Sequence, residues 1–195
     1  MRPLGPWLAA MAVVAVASLL VLLTLRQPNV PGYPPTAAAP NDVGGRLVGP
    51  VLYTVDATEA EEWRYFSFRL GSVVADQSKG WDLAFRRYAI ITSQGGGALD
   101  LGERRFEDVR SVPADGYVAT QHAGDPRNPA IASWYTYGFF SHVLTPKPHV
   151  WAVRTAAGRY AKLEMVGYYC PGSRPGCPTF RYVFQGDGTT AVARY

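Results

Sequence analysis

The chain has 195 residues, of which 48% are hydrophobic, 17% charged and 13% aromatic, with 20 glycines, 16 prolines and 2 cysteines. That length holds one ordinary domain with a sizeable core. The aromatic content excludes low-complexity disorder and a collagen-like chain, and so few cysteines exclude a cysteine-based zinc cluster. Formal charge is 19 minus 15, or +4, and the basic residues are scattered rather than gathered in a stripe, so no nucleic-acid partner is expected.

The first element is apolar. From Trp7 to Leu25 only Ser18 and Thr24 interrupt a run without charge, and at ~1.5 Å per residue such a helix roughly matches a ~30 Å hydrocarbon core. The expectation is a single N-terminal transmembrane anchor over residues 1–26, with the lipid bilayer against Trp7–Leu25. A cleavable signal peptide has a shorter apolar core, about 7–15 residues, and cutting after Ala15-Val16-Ala17 would leave Leu19 to Leu25 at the new terminus. Arg2 and the amino terminus outweigh Arg26, which predicts a single-pass protein of the cytoplasmic (inner) membrane with its C-terminal domain on the periplasmic side. Ala9, Ala10, Ala15 and Ala17 form a small-residue face suited to contact with another helix.

Residues 27–50 carry prolines at 28, 31, 34, 35, 40 and 50 with glycines between them, a spacing that excludes helix and central strand. This reads as a Pro/Gly-rich linker, either a disordered tether or a strap laid along a partner's surface.

Residues 51–195 read as one β domain. Trp63, Tyr65, Phe68 and Leu70 mark a strand whose phase slips near Phe66-Ser67. Trp81, Leu83 and Phe85 mark another, in which Arg86-Arg87 before Ala89-Ile90-Ile91 suggest a bulge. Trp151 and Val153, then Ala161, Leu163 and Met165, then Phe180, Tyr182 and Phe184 give three alternating runs. Ala156-Ala157-Gly158 suits a hairpin turn between the first two, and Asp187-Gly188 has the residues of a type I′ turn. Ala57–Trp63, with Asp56 as a cap, is the best short-helix candidate. The fold class expected is all-β, an antiparallel sandwich or barrel.

Cys170 and Cys177 enclose PGSRPG without a CxxC or CxxCH pattern, so they are expected to close that loop as a disulfide, which also favours an exported domain. Signatures of common enzymes are missing: GxSxG, HExxH, GxxxxGK[ST] and a Rossmann GxGxxG do not occur. Gly95-Gly96-Gly97 lacks the Lys and helix of a phosphate loop and reads as a flexible hairpin tip. Ser141-His142 are adjacent without a placed carboxylate, so no enzyme is expected.

His122, His142 and His149 are the three imidazoles, all in or beside loops of the middle third. Two histidines beside an aromatic wall such as WYTYGFF are what axial haem ligation needs, whereas three surface histidines are also an ordinary complement. No metal other than haem iron is expected.

Several motifs occur in one order. WDLAF at Trp81–Phe85 precedes ITSQGG at Ile91–Gly96; Trp134-Tyr135 with Tyr137 precede HVLTPKPHVWAVRTAAGRYAKLEMVGYY at 142–169; TFRYVFQGDGT closes at 179–189. In these the chain resembles the HmuY-like family over about residues 50–195. The resemblance implies an exported all-β domain that binds haem b noncovalently between two axial side chains, His in some members and Met in others. It places His122 where a first ligand could fall and His142 or His149 where a second could. Met165 reads as core, and no Cys follows the apolar run to accept a lipid. Two functions are therefore expected from the sequence: a membrane-anchored periplasmic haem-binding domain, or a non-catalytic accessory subunit of a larger integral membrane protein complex.

Overall fold

The computed structural model describes residues 5–25 and 29–194. The apolar segment folds as helix α1 (Gly5–Leu25), as its Ala, Leu and Met content favours, and its described side chains, Trp7 to Leu22, are exposed. The expected membrane span requires correction: among the described residues no helix is long and apolar enough to cross a membrane. The single-pass inner-membrane placement, with a periplasmic C-terminal domain, therefore does not stand. Arg2 and Arg26, on which the orientation rested, lie outside the described residues.

The strands in chain order are β1 (Leu47–Thr54), β2 (Arg64–Ser67), β3 (Ser72–Val74), β4 (Leu83–Arg86), β5 (Ala89–Thr92) and β6 (Gly97–Glu103). They are followed by β7 (Tyr135–Tyr137), β8 (Leu144–Pro146), β9 (His149–Arg154), β10 (Tyr160–Cys170) and β11 (Arg174–Gln185). One sheet runs β1-β11-β10-β9-β6, a second β3-β2-β4-β5, and β7-β8 is a separate hairpin. Every pairing between these strands is antiparallel. Both larger sheets keep open edges, so the architecture is a sandwich and not a closed barrel.

Period-2 alternation explains the packing. On the inner face of the large sheet lie Trp151, Val153, Leu163, Met165, Phe180, Tyr182 and Phe184, which meet Phe66, Phe68, Leu83, Phe85 and Ile90 of the opposing layer. Phe66 meets Phe180 edge-on, with ring centroids 5.2 Å apart. The outer face is not solvent: Val150, Ala152 and Val183 are covered by Phe106, Val109, Val112 and Val192. Segments returning across this face close with Val112 N–H to Thr190 O at 3.0 Å and Val192 N–H to Arg110 O at 2.8 Å.

The Pro-rich segment lies on the chain's own domain rather than on a partner. The N–H groups of Tyr33, Thr36, Asn41 and Val43 donate to the carbonyls of Tyr169, Thr54, Leu70 and Arg69 at 2.8–3.0 Å, and Ala39 N–H donates to Ser72 Oγ at 3.0 Å. Extended Pro-rich backbone makes no hydrogen bonds with itself, so its donors are available to the domain. The domain begins earlier than residue 51, because β1 starts at Leu47; Pro50 is tolerated there because β1 is an edge strand.

Three local expectations change. Ala57–Trp63 is not helical; Asp56 instead accepts Thr58 N–H at 3.2 Å and the Thr58 hydroxyl at 2.7 Å in a short Asx turn. Arg86-Arg87 is not a bulge within one strand: Arg86 pairs with Ala89, so Arg87-Tyr88 is a two-residue hairpin turn with Arg87 at φ 53°. Without Gly or Asn at that position the turn leaves no compositional mark. Gly95–Gly97 is no free tip but the crossover from the small sheet to the large one, where Gly96 and Gly97 are buried and Gly97 lies against Tyr117.

Candidate functional site

His149 opens β9 and faces the same side of the sheet as Trp151, with which its ring stacks at 5.6 Å. On the neighbouring strand β6, the Asp100 carboxylate accepts from His149 Nδ1–H at 3.0 Å through both oxygens. That contact fixes the tautomer and leaves Nε2 with its lone pair, the arrangement in which a carboxylate orients a ligating imidazole.

His142 sits in the β7–β8 hairpin at φ 55°, a conformation that histidine tolerates better than most residues. Its N–H donates to Gly138 O at 2.7 Å, and Gly138 N–H donates to Val143 O at 2.8 Å. The His142 Nδ1 shares a short hydrogen bond with the Tyr137 hydroxyl, and Nε2 makes no hydrogen bond among the described residues. Beside it Phe139 and Phe140 are 76% and 78% exposed and pack edge-on against each other at 5.3 Å. The expected aromatic wall is thus divided: Trp134 is buried and its Nε1–H donates to Tyr88 O at 2.8 Å, while Tyr137, Phe139 and Phe140 face outward.

His122 lies in an exposed loop closed by reciprocal hydrogen bonds between Gln121 and Arg127 at 2.8 and 3.0 Å. That loop is tied to the core by buried Asn128, whose amide donates to Thr92 Oγ1 at 3.1 Å and Val118 O at 2.8 Å. His142 and His149 therefore have separate partners, and His122 lies apart in its own loop. His142 and His149 stand beyond opposite ends of β8, and no group of three or more His, Cys, Asp or Glu among the described residues is placed to hold a metal ion. Asp100 and Tyr137, which orient the two imidazoles, carried no signal in sequence because each is remote from, or on the far side of a turn from, its partner.

At the other end of the sandwich, past Arg154, a cleft of about 620 Å³ opens between the β9–β10 turn, the segment after β11 and the Gly80–Asp82 stretch. Its floor is Asp82. One carboxylate oxygen accepts Phe68 N–H at 2.8 Å, and burial pushes the group up to about 6 despite that hydrogen bond. The one sign in the sequence was a lone carboxylate inside the apolar run Trp81–Phe85. At the opposite tip of the β10–β11 hairpin, Cys170 and Cys177 form the expected disulfide.

The comparisons with known proteins agree with this fold. The sequence matches the family model described as HmuY protein over residues 59–182. The apo HmuY analog of Tannerella forsythia is 20% identical, with 74% of this chain and 99% of that chain covered and a TM-score of 0.60. A Bacteroides vulgatus protein named as HmuY-like and haem-binding is 19% identical over 76% of this chain and 97% of its own, with a TM-score of 0.60. A Bacteroides fragilis protein named as a lipoprotein, a different attachment from a single-pass helix, is 21% identical over 75% and 93%, with a TM-score of 0.58. No curated protein matches the chain. Identities this low speak to the fold alone, but the family match spans well over half of the residues, and the chain belongs to the HmuY family.

Proposed function

We propose that this chain is a non-catalytic haem-binding member of its family that takes up haem b noncovalently at the β7–β8 hairpin. The observation that carries this reading is His142: its Nδ1 is held by Tyr137, its Nε2 is free, and Phe139 and Phe140 expose apolar rings beside it. A bound haem iron accepts an axial imidazole nitrogen. With haem bound, His142 would supply that nitrogen, Tyr137 would set the ring's orientation, and Phe139 and Phe140 would offer apolar contact to the macrocycle. His149, oriented by Asp100, is the candidate for the second axial position, and His122 is the third candidate. The name of the B. vulgatus protein supports the ligand class.

Titration of the full chain with haemin tests the reading. A Soret shift above that of a non-binding control, reduced by His142→Ala, is expected. No shift, or a shift unchanged by His122→Ala, His142→Ala and His149→Ala alike, overturns it.

The same exposed pair, Phe139 and Phe140, favours a second reading as an accessory subunit whose hairpin tip docks on a larger complex, since exposed apolar side chains that touch one another mark contact surfaces. A protein that purifies alone at monomer size under mild conditions counts against it.

A further inference from the structure

The cleft at the far end of the sandwich is separate from the histidines, because Arg154 closes β9 at the end where the cleft opens and His149 opens it at the other, ~17 Å away along an extended strand. Its chemistry is specific. Of the two oxygens of Asp82, Oδ2 is satisfied by Phe68 N–H. Oδ1 has no protein donor among the described residues, yet it is not sealed off as a buried unpaired atom, so it opens on the cleft. Trp81 lines the cleft with aromatic surface, and the almost fully buried Phe184 borders it as well.

The charges around it leave one carboxylate in excess. Asp42 on the Pro-rich strap holds Arg69 in a bidentate pair, with Nε and Nη2 donating at 2.7–3.1 Å. Arg159 is the cationic neighbour of Asp187, which leaves Asp82 without one. Gly44 and Gly80 line the cleft with open space where a Cβ would stand.

We infer that this cleft is a second binding site, for a small organic ammonium ligand whose N–H groups pair with Asp82 Oδ1 and whose apolar part lies against Trp81 and Phe184. A partly buried carboxylate beside an aromatic ring is a good host for such a cation, since both the charge and the ring face attract it. The strap belongs to the site, because Asp42 neutralises Arg69 and prevents that guanidinium from competing for Asp82.

The test is titration of the full chain with 2-phenylethylamine at pH 7.5, followed by tryptophan fluorescence and calorimetry, with 2-phenylethanol as the uncharged control. Saturable binding of the amine is expected, weakened about tenfold or more by Asp82→Asn, the equivalent of one charged hydrogen bond. The amide introduced by that substitution retains an acceptor for Phe68 N–H, so the variant is expected to fold. Should it not, Ala157→Trp on the exposed β9–β10 turn obstructs the mouth from outside and is expected to abolish binding. Binding is expected to weaken as pH falls through about 6, where Asp82 takes up its proton; Asp42 and Asp187 are held below the usual carboxylate range by their hydrogen bonds and stay ionised there. No saturable binding of the amine, equal binding of the alcohol, or amine binding indifferent to both substitutions overturns the assignment.

Discussion

The ring of Tyr33 rests on the bare Cα of Gly167: a Cβ added at that glycine would lie 2.5 Å from Tyr33 Cε2. Two residues further along β10, the Tyr169 carbonyl accepts the Tyr33 N–H at 2.8 Å, so one strap residue is held by its backbone and by its ring. Gly167 has no positive φ, which makes Gly167→Ala a probe of contact rather than of backbone strain. The substitution is expected to displace Tyr33 and to cost about 1–3 kcal/mol, the usual range for overpacking. Faster proteolysis between Tyr33 and Val43 with a lower Tm checks this; unchanged cleavage means that the ring contact does not hold the strap.

Reduction of the Cys170–Cys177 disulfide should lower stability without dissolving the sandwich. The bridge spans a sequence separation of 7, and closing so short a loop is worth ~2.5 kcal/mol in the chain-entropy account. Urea unfolding of the Cys170→Ser/Cys177→Ser double variant should show that difference at an unchanged m-value.

Lys162 is 3% exposed on the outer face of the large sheet. Its ammonium donates to Phe106 O at 2.8 Å and Val109 O at 2.7 Å and lies 4.4 Å from the centre of the Phe106 ring. Burial draws its pKa below the ordinary lysine value, yet the two carbonyls need its donors. Lys162→Met keeps the stem and removes the donors, and is expected to cost about 2–4 kcal/mol by leaving both carbonyls unsatisfied. Thermal unfolding of this variant measures the loss, and hydrogen exchange at Val109 and Val112 reports whether the covering segment loosens.

Asp82 carries a pH signature of its own. Its carboxyl rises from 3.8 to about 6 because burial disfavours the charge. Between those values the folded chain binds more protons than the unfolded one, so this group's contribution lowers stability as pH rises from about 4 to 6. The cost above that window is at most about 3 kcal/mol. Asp82→Asn is therefore expected to be more stable than the parent at pH 7.5 and equal to it near pH 4. Denaturant melts of both proteins across that range check the sign; a parent chain that gains on Asp82→Asn as pH rises would reverse it.

The legible part of this protein is periodic. Trp151 with Val153, Ala161 to Met165 and Phe180 to Phe184 are three short period-2 runs that mark β9, β10 and β11 with their inner face, because a sheet face packed on a core takes every second residue. Short elements were less legible. In β2 the buried residues are Phe66 and Ser67 rather than Tyr65, with Phe68 buried just beyond the strand, because a four-residue strand is too brief to establish its phase. The β4–β5 turn at Arg87-Tyr88 carries no turn residue, and Asp56 makes a turn where it could as well have capped a helix.

The sequence by itself determined the β class, the family, a helix over Trp7–Leu25 and the Cys170–Cys177 bridge, because each depends on local spacing or on composition over a window. Tertiary structure alone decided that the prolines from Pro31 to Pro40 belong to a strap on the domain, since the carbonyls that receive its N–H groups come from β1, β10 and the β2–β3 turn. It also decided that Asp100 orients His149, that Tyr137 orients His142, and that Asp82 floors a cleft. These relationships join residues whose separation in the chain is set by the sheet order β1-β11-β10-β9-β6, and no pattern along the chain encodes which strands become neighbours.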